Sequence, residues 1–223
     1  MRVAEDKTAA AEFGTSPRAL AAAVIYDPDL LAAMPRHLAA SGVAAVAHCV
    51  EALCYPGVPD EARYWAREGL LLLWDSLVRV AAGAADLSSR HDALAGASLA
   101  GRAHQAAGPG LLHLLCDLTA ARHDVSYGAL HALLLPKVLC AHGTAAGQAR
   151  AAISDLRPDV SAETALEEFA AALGVTATVD ELGIRATLTV LTERVGGHPA
   201  VPPGRVRQAT VRRLRETLAA PGR

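Results

Sequence analysis

Hydrophobic and polar residues alternate along most of this chain with the period of an α-helix. Between Pro35 and Tyr55 apolar side chains recur three or four residues apart, which predicts a buried helix whose regular part begins near Ser41. The same spacing, interrupted by proline, glycine or capping residues, predicts further helices over 60–82, 86–107, 111–122, 127–140, 145–156, 161–173 and 180–195, and a last one after residue 203. Residues 21–26 instead predict a short strand or an extended arm, because Asp27-Pro28 stops any helix there.

This pattern predicts an all-α fold in a single domain. Residues 1–23 are mixed and polar, and we interpret them as an N-terminal arm or linker, with the helical domain over 24–223. The composition agrees, because the chain has 50 alanines and only 4% aromatic residues.

Charge and hydropathy narrow the class of protein. The chain is 52% hydrophobic and 20% charged with a formal net charge of −2, which excludes a disordered chain and makes nucleic-acid binding improbable. No apolar run reaches the roughly 18 residues of a membrane span. The four cysteines lack paired spacing, so a disulfide framework or a zinc knuckle is improbable and we expect a cytoplasmic protein. Cys49 and Cys116 could act as nucleophiles, but we expect them to be buried structural thiols.

His48 and Glu51 form the first group of residues with chemical potential. They are three residues apart and therefore lie on one face of the predicted helix, where the carboxylate could orient the imidazole. A histidine buried in a helix core for structural reasons gives the same pattern.

His113 and Asp117 form the second group, and His123 to Gly128 follows them. The two side chains are four residues apart, and Asp117 is embedded among leucines and a cysteine. Because an unpaired buried charge is costly, Asp117 must be paired or protonated, and either state suits acid–base chemistry. A purely structural His–Asp pair is an equally good interpretation.

Four motifs in these regions resemble the iron-containing alcohol dehydrogenase superfamily, and among its branches the maleylacetate reductases. They are IYDPDL (residues 25–30), ASG-x-x-A-x-AHCVEAL (40–53), GL-x-H-x-x-C (110–116) and LLLP (133–136). The resemblance runs from about Val24 to the C terminus and covers only the helical C-terminal half of that family. It implies the fold of that helical half.

The resemblance also implies which features of the family are altered. The family's nucleotide-binding domain has no counterpart, since residues 1–23 are too few and no glycine-rich phosphate loop precedes the helices. Of the family's metal ligands, one aspartate and three histidines, the corresponding residues are Ala44, His48, His113 and Tyr127. A family histidine on the hydride path corresponds to Asp117. We therefore expect no nicotinamide cofactor and no metal.

These features predict a cofactor-independent enzyme that uses the substrate cleft for acid–base chemistry, as an isomerase, a lyase or dehydratase, or a cyclase. His48 or His113 would be the base and Asp117 or Tyr127 the acid, and the predicted substrate-binding residues are Arg122, His123 and Lys137. The expected partners are an anionic or enolisable small molecule and a second copy of the chain in a homodimer. Two alternatives stay open: an interaction module or half-enzyme that needs a separate nucleotide-binding chain, and a metal-dependent lyase or hydrolase using His48, His113 and Asp117.

Overall fold

The computed structural model describes residues 21–32, 41–195 and 208–219, and within these ranges it contains helices and turns without any β-strand. The predicted all-α fold is confirmed. Residues 1–20 of the predicted arm lie outside the described residues, and residues 21–27 are exposed and form no strand. The helices are α1 (Pro28–Ala32), α2 (Gly42–Cys54), α3 (Asp60–Ala81), α4 (Leu87–Ala107), α5 (Leu111–Ala120), α6 (Tyr127–His142), α7 (Gly147–Leu156), α8 (Ala162–Ala172), α9 (Arg185–Arg194) and α10 (Gln208–Ala219).

Side-chain caps fix several of these helix starts. The Asp86 carboxylate accepts a hydrogen bond from the Ser89 backbone N–H at 2.8 Å and begins α4. The Ser126 hydroxyl does the same for α6, where it accepts from the Ala129 N–H at 3.1 Å. Gly108 ends α4 with a φ of 72°, a conformation that glycine adopts without steric cost.

Helices α3 and α4 pack against each other along their length and come closest at two glycines. A Cβ atom on Gly96 would lie 2.8 Å from the Leu73 side chain, and one on Gly69 would lie 3.2 Å from the Gly96 carbonyl oxygen and 3.1 Å from Cys49 Sγ. The absence of these side chains therefore lets α2, which carries Cys49, approach the α3–α4 pair.

Helices α2 and α6 lie at the centre of the fold. Helix α2 contacts α3, α4 and α6, and α6 also contacts α5, α8 and α10. This packing brings three segments to one place: the middle of α2, the C-terminal end of α4 and the N-terminal half of α5. The candidate site lies where they meet.

One helical stretch has the length and composition of a membrane span, which the sequence analysis did not anticipate. Tyr127–Leu156 runs continuously for 30 residues, because a 3₁₀ turn joins α6 to α7 instead of separating them, and its most apolar 18-residue window has a mean hydropathy of 1.2. Of its most apolar window, 61% is buried inside the protein. Such burial is typical of the core helix of a globular domain.

Candidate functional site

Four histidine rings stack around the junction of α2, α4, α5 and α6. The ring of His48 lies 4.1 Å from that of His104 and 4.5 Å from that of His113, and His104 lies 4.6 Å from His113. His131 contacts His113 edge to face at 4.8 Å. We call His48, His104, His113 and His131 the histidine cluster.

Glu51 fixes one ring of the histidine cluster, that of His113. Its buried carboxylate bonds Nδ1 of His113, and its other oxygen accepts the Leu112 backbone N–H at 2.7 Å. From the sequence, this carboxylate could have oriented His48. Instead the Glu51 side chain extends from α2 towards the start of α5 and bonds His113 and the Leu112 N–H.

Tyr55 supports the same helix start. Its hydroxyl accepts the Leu111 N–H at 2.7 Å and lies 3.5 Å from Glu51 Oε1 and 3.5 Å from Nε2 of His142. Two N–H groups in the first turn of α5, those of Leu111 and Leu112, are therefore paired with side chains of α2 and the residue that follows it. These bonds fix the position of His113 relative to α2.

Asp117 and Tyr127 form a second arrangement, which we call the rim pair. The Tyr127 hydroxyl donates a hydrogen bond to Asp117 Oδ1, and the Tyr127 ring lies 4.4 Å from the ring of His131. Tyr127 is 37% exposed, whereas His113 and His131 are buried. The structure therefore joins His48, His113, Asp117 and Tyr127 into one chain of contacts through His131.

Burial keeps most of the histidine cluster uncharged. Loss of hydration, reinforced by the other rings, lowers the pKa of His48 to about 2 and the pKa values of His104 and His131 to about 4 each. Burial alone would raise the pKa of Glu51, but His113 and the Leu112 N–H outweigh it and lower that pKa to about 2. The ionised Glu51 carboxylate therefore lies next to a group of mostly neutral imidazoles.

In the rim pair, burial raises the pKa values instead of lowering them. Burial raises the pKa of Asp117 above its ordinary value, although the hydrogen bond from Tyr127 acts in the other direction. Burial, together with the Asp117 carboxylate, holds the pKa of Tyr127 well above its usual range, so the phenol stays protonated. Asp117 can therefore accept a proton more readily than an ordinary aspartate.

The three predicted substrate-binding residues lie in different environments. Arg122 is exposed on the connection between α5 and α6, where one guanidinium nitrogen donates to the Leu118 carbonyl. His123, on the same connection, bonds Thr187 of α9 at 2.7 Å. Lys137 lines a separate cavity of about 370 Å³, together with Asp180 and Arg185. The structure does not bring Lys137 to the histidine cluster.

The cysteines near the site are buried in the core. Burial raises the pKa of the Cys49 thiol and the pKa of the Cys116 thiol well above their ordinary values. Neither thiol is activated as a nucleophile, which agrees with the expectation of structural thiols.

Residues 38–220 match the family model described as Fe-containing alcohol dehydrogenase family, C-terminal. The chain belongs to the iron-containing alcohol dehydrogenase family. Among its relatives are a maleylacetate reductase from Burkholderia cepacia, 33% identical over 77% of this chain, and one from Rhizobium sp. strain MTP-10005, 32% identical over 89% of this chain. The matched segments cover 49% and 57% of those two proteins, so the chain spans about half the length of the relatives it matches.

Solved structures of the family share the fold. A maleylacetate reductase from Agrobacterium tumefaciens superposes with a TM-score of 0.71 at 30% identity, over 86% of this chain and 55% of that one. An iron-containing alcohol dehydrogenase from Corynebacterium glutamicum gives a TM-score of 0.74 at 26% identity, over 87% of this chain and 55% of that one. The predicted resemblance to the C-terminal helical domain of the family is confirmed.

The family's metal-ligand positions, as the resemblance assigns them, do not form a ligand set here. Ala44 has no donor atom, and the Tyr127 hydroxyl is directed at Asp117. His48 and His113 remain, and His104 lies with them: one ligand nitrogen from each of the three is within 4.8 Å of the others. Two imidazoles alone hold a divalent ion poorly, whereas three form a recognised site.

Sequence reasoning missed His104 and His131. His104 lies in the last turn of α4, nine residues and a Gly-Pro-Gly turn before His113, so no helical periodicity links the two. His131 is four residues after Tyr127 on α6, and its Nδ1 lies 2.9 Å from the Tyr127 carbonyl oxygen. That spacing was a usable signal, because it places His131 on the same helix face as Tyr127.

Proposed function

We propose that this domain is an acid–base catalyst that acts on a small, anionic, enolisable molecule at the rim pair. The observation that carries the proposal is the Tyr127–Asp117 hydrogen bond at the accessible end of the histidine cluster. A carboxyl group with a raised pKa beside a phenol that stays protonated offers a proton acceptor and a hydrogen-bond donor side by side.

In this proposal Asp117 is the base and Tyr127 the donor. The Asp117 carboxylate takes the proton from a carbon next to a carbonyl group, and the C–H electron pair becomes the enolate. The Tyr127 hydroxyl hydrogen-bonds the enolate oxygen. Return of the proton to another carbon gives isomerisation, and departure of a leaving group gives elimination. His48 is the weaker candidate for the base, since its pKa near 2 leaves it little affinity for a proton.

Exposed Arg122 supports the anionic character of the substrate. It lies on the connection between the helices of Asp117 and Tyr127, and only one of its nitrogens is used by the Leu118 carbonyl. A guanidinium there can bind a substrate carboxylate. Lys137 and His123 have no direct part in this proposal, because Lys137 lines another cavity and His123 bonds Thr187. A cytoplasmic homodimer remains our prediction for its location and assembly.

Deuterium exchange tests the proposal directly. Maleylacetate, the compound named by the relatives, is an anionic keto acid, and we propose it as the probe because its acidic C–H groups exchange through an enolate. The protein in D₂O without nicotinamide should accelerate exchange, and Asp117→Asn and Tyr127→Phe should each slow it at least about 100-fold. Glu216→Gln on the exposed face of α10 is the matched control. No acceleration over buffer, or exchange at the wild-type rate in the two rim variants, would contradict the proposal.

A second function has its own support in the relatives. Maleylacetate reductases match this chain over 77–89% of its length and over about half of theirs, which suggests the helical part of a reductase that works with a nucleotide-binding part outside these 223 residues. Oxidation of NADH by maleylacetate, appearing only when such a part is added, would favour this function. Exchange without nicotinamide would favour the first.

A further inference from the structure

Three helices each contribute one imidazole to a single point of the fold. His48 comes from the middle of α2, His104 from the end of α4 and His113 from the first turn of α5. One ligand nitrogen from each lies within 4.8 Å of the others. Three imidazoles around a tetrahedral Zn²⁺ place their nitrogens about 3.4 Å apart, so modest ring rotations close the remaining gap.

The ring of His113 is held as a metal-ligating histidine is. Its Nδ1 faces the Glu51 carboxylate, and its Nε2, in a side chain 5% exposed, has no hydrogen-bond partner among the described residues. Glu51 is itself 4% exposed at its side chain and is fixed by the Leu112 N–H. A carboxylate behind one ring nitrogen, with the other nitrogen unpaired, is the usual outer-shell arrangement of zinc histidines.

The rings of His48 and His104 leave the meeting point of the three imidazoles accessible. His48 and His104 are half-buried, so an ion can reach their nitrogens from the solvent side. Asp117 is not among the side chains that meet at this point, and it bonds Tyr127. The ligand set therefore differs both from the one that the family resemblance implies and from the His48, His113 and Asp117 set considered in the sequence analysis.

We propose that His48, His104 and His113 bind one divalent cation of the zinc class, with Glu51 orienting His113 and with His104 supplying the donor that Ala44 and Tyr127 do not. Neutral imidazoles are good ligands for Zn²⁺ and Co²⁺, and three of them leave one coordination position open. The site is independent of the proton-transfer proposal, which rests on other side chains.

Metal binding by the untagged full chain tests this site. Calorimetry and equilibrium dialysis should show one Zn²⁺ per chain, and Co²⁺ should give the visible absorption of a tetrahedral complex. His104→Ala should weaken Zn²⁺ binding about 100-fold or more, and Glu51→Gln about 10- to 100-fold. His91→Ala is the matched control, because His91 is an exposed histidine on the same helix as His104, and its binding should be unchanged.

Several outcomes would overturn the site. They are the absence of stoichiometric Zn²⁺ binding by the wild-type chain, wild-type affinity in His104→Ala, or loss of binding in His131→Ala while His104→Ala retains it. Circular dichroism of each variant, with His104→Gln as a second substitution, separates ligand loss from unfolding. Deuterium exchange by the rim pair is measured separately, so failure of either proposal leaves the other standing.

Discussion

The histidine cluster and the rim pair lie next to each other, yet they are built for different chemistry. The cluster is mostly buried, its rings contact one another, and burial lowers the pKa values of His48, His104 and His131. The rim pair is partly exposed, and its two groups bond each other and have raised pKa values. Burial acts on both, but it neutralises a base by lowering its pKa and an acid by raising its pKa.

The comparison shows how two adjacent groups of side chains can serve two tasks. The histidine cluster offers the lone pairs of its imidazole nitrogens, and the Glu51 carboxylate bonds one of its rings. This arrangement suits the binding of a cation. The rim pair presents a proton acceptor and a donor at the surface, which suits acid–base chemistry. His131 lies between them, in contact with His113 on one side and Tyr127 on the other.

The largest effect on stability is expected from removal of the Glu51 side chain, which bonds His113 in the histidine cluster. Glu51→Ala removes the acceptor of His113 and of the Leu112 N–H in a buried position, so we expect a loss of about 3–5 kcal/mol in the free energy of unfolding. Urea denaturation of the metal-free protein measures it. Glu216→Ala, an exposed position on α10, should change stability by less than about 0.5 kcal/mol. Equal effects of the two substitutions would show that Glu51 supports nothing.

The next largest effect on stability is expected from a substitution at Gly110, which lies beside Glu51. A Cβ atom on Gly110 would lie 2.5 Å from Tyr55 Oη and would also clash with Glu51 Oε1, so Gly110→Ala should destabilise the protein by about 1–3 kcal/mol. Gly101→Ala is the matched control, since nothing lies within 4 Å of its Cβ position on α4. That substitution should stabilise the helix by about 0.5–1 kcal/mol. Opposite signs in thermal denaturation are the expected result, and a stabilised Gly110→Ala would contradict the packing described here.

The smallest effect on stability is expected at the rim. Tyr127→Phe removes one hydrogen bond at a partly exposed position, so the free energy of unfolding should fall by no more than about 1 kcal/mol. The pKa of Asp117 should rise further, because the bond from Tyr127 lowers it in the native protein. Carboxyl NMR titration of both proteins measures this shift. An unchanged or lower pKa of Asp117 in the variant would mean that the two groups are not coupled.

The helices were predictable from the sequence because their ends carry local signals. Asp86 and Ser126 cap α4 and α6 as their positions in the sequence suggest. Most predicted helix ends lie within two residues of the observed ones, but α9, predicted from residue 180, begins only at Arg185. The short α1 was not predicted, although Pro28 suits a first helical position. Such signals act within a few residues and need no knowledge of packing.

The site was only partly predictable because its contacts are tertiary. His48 and His113 meet as the family resemblance implied, and Asp117 bonds Tyr127 across a helix connection. Glu51 reaches His113, 62 positions away, and not the neighbouring His48. His104 joins them from α4, which packs against both α2 and α3. Helical periodicity within one segment cannot reveal such meetings between segments.

The most direct test of the division between cluster and rim is a crystal structure of the zinc-soaked protein with an anomalous map at the zinc edge. We predict one zinc about 2.0–2.1 Å from a nitrogen of each of His48, His104 and His113, with Tyr127 still bonded to Asp117. Zinc bound by Asp117 or Tyr127, or a histidine cluster without zinc, would contradict the account.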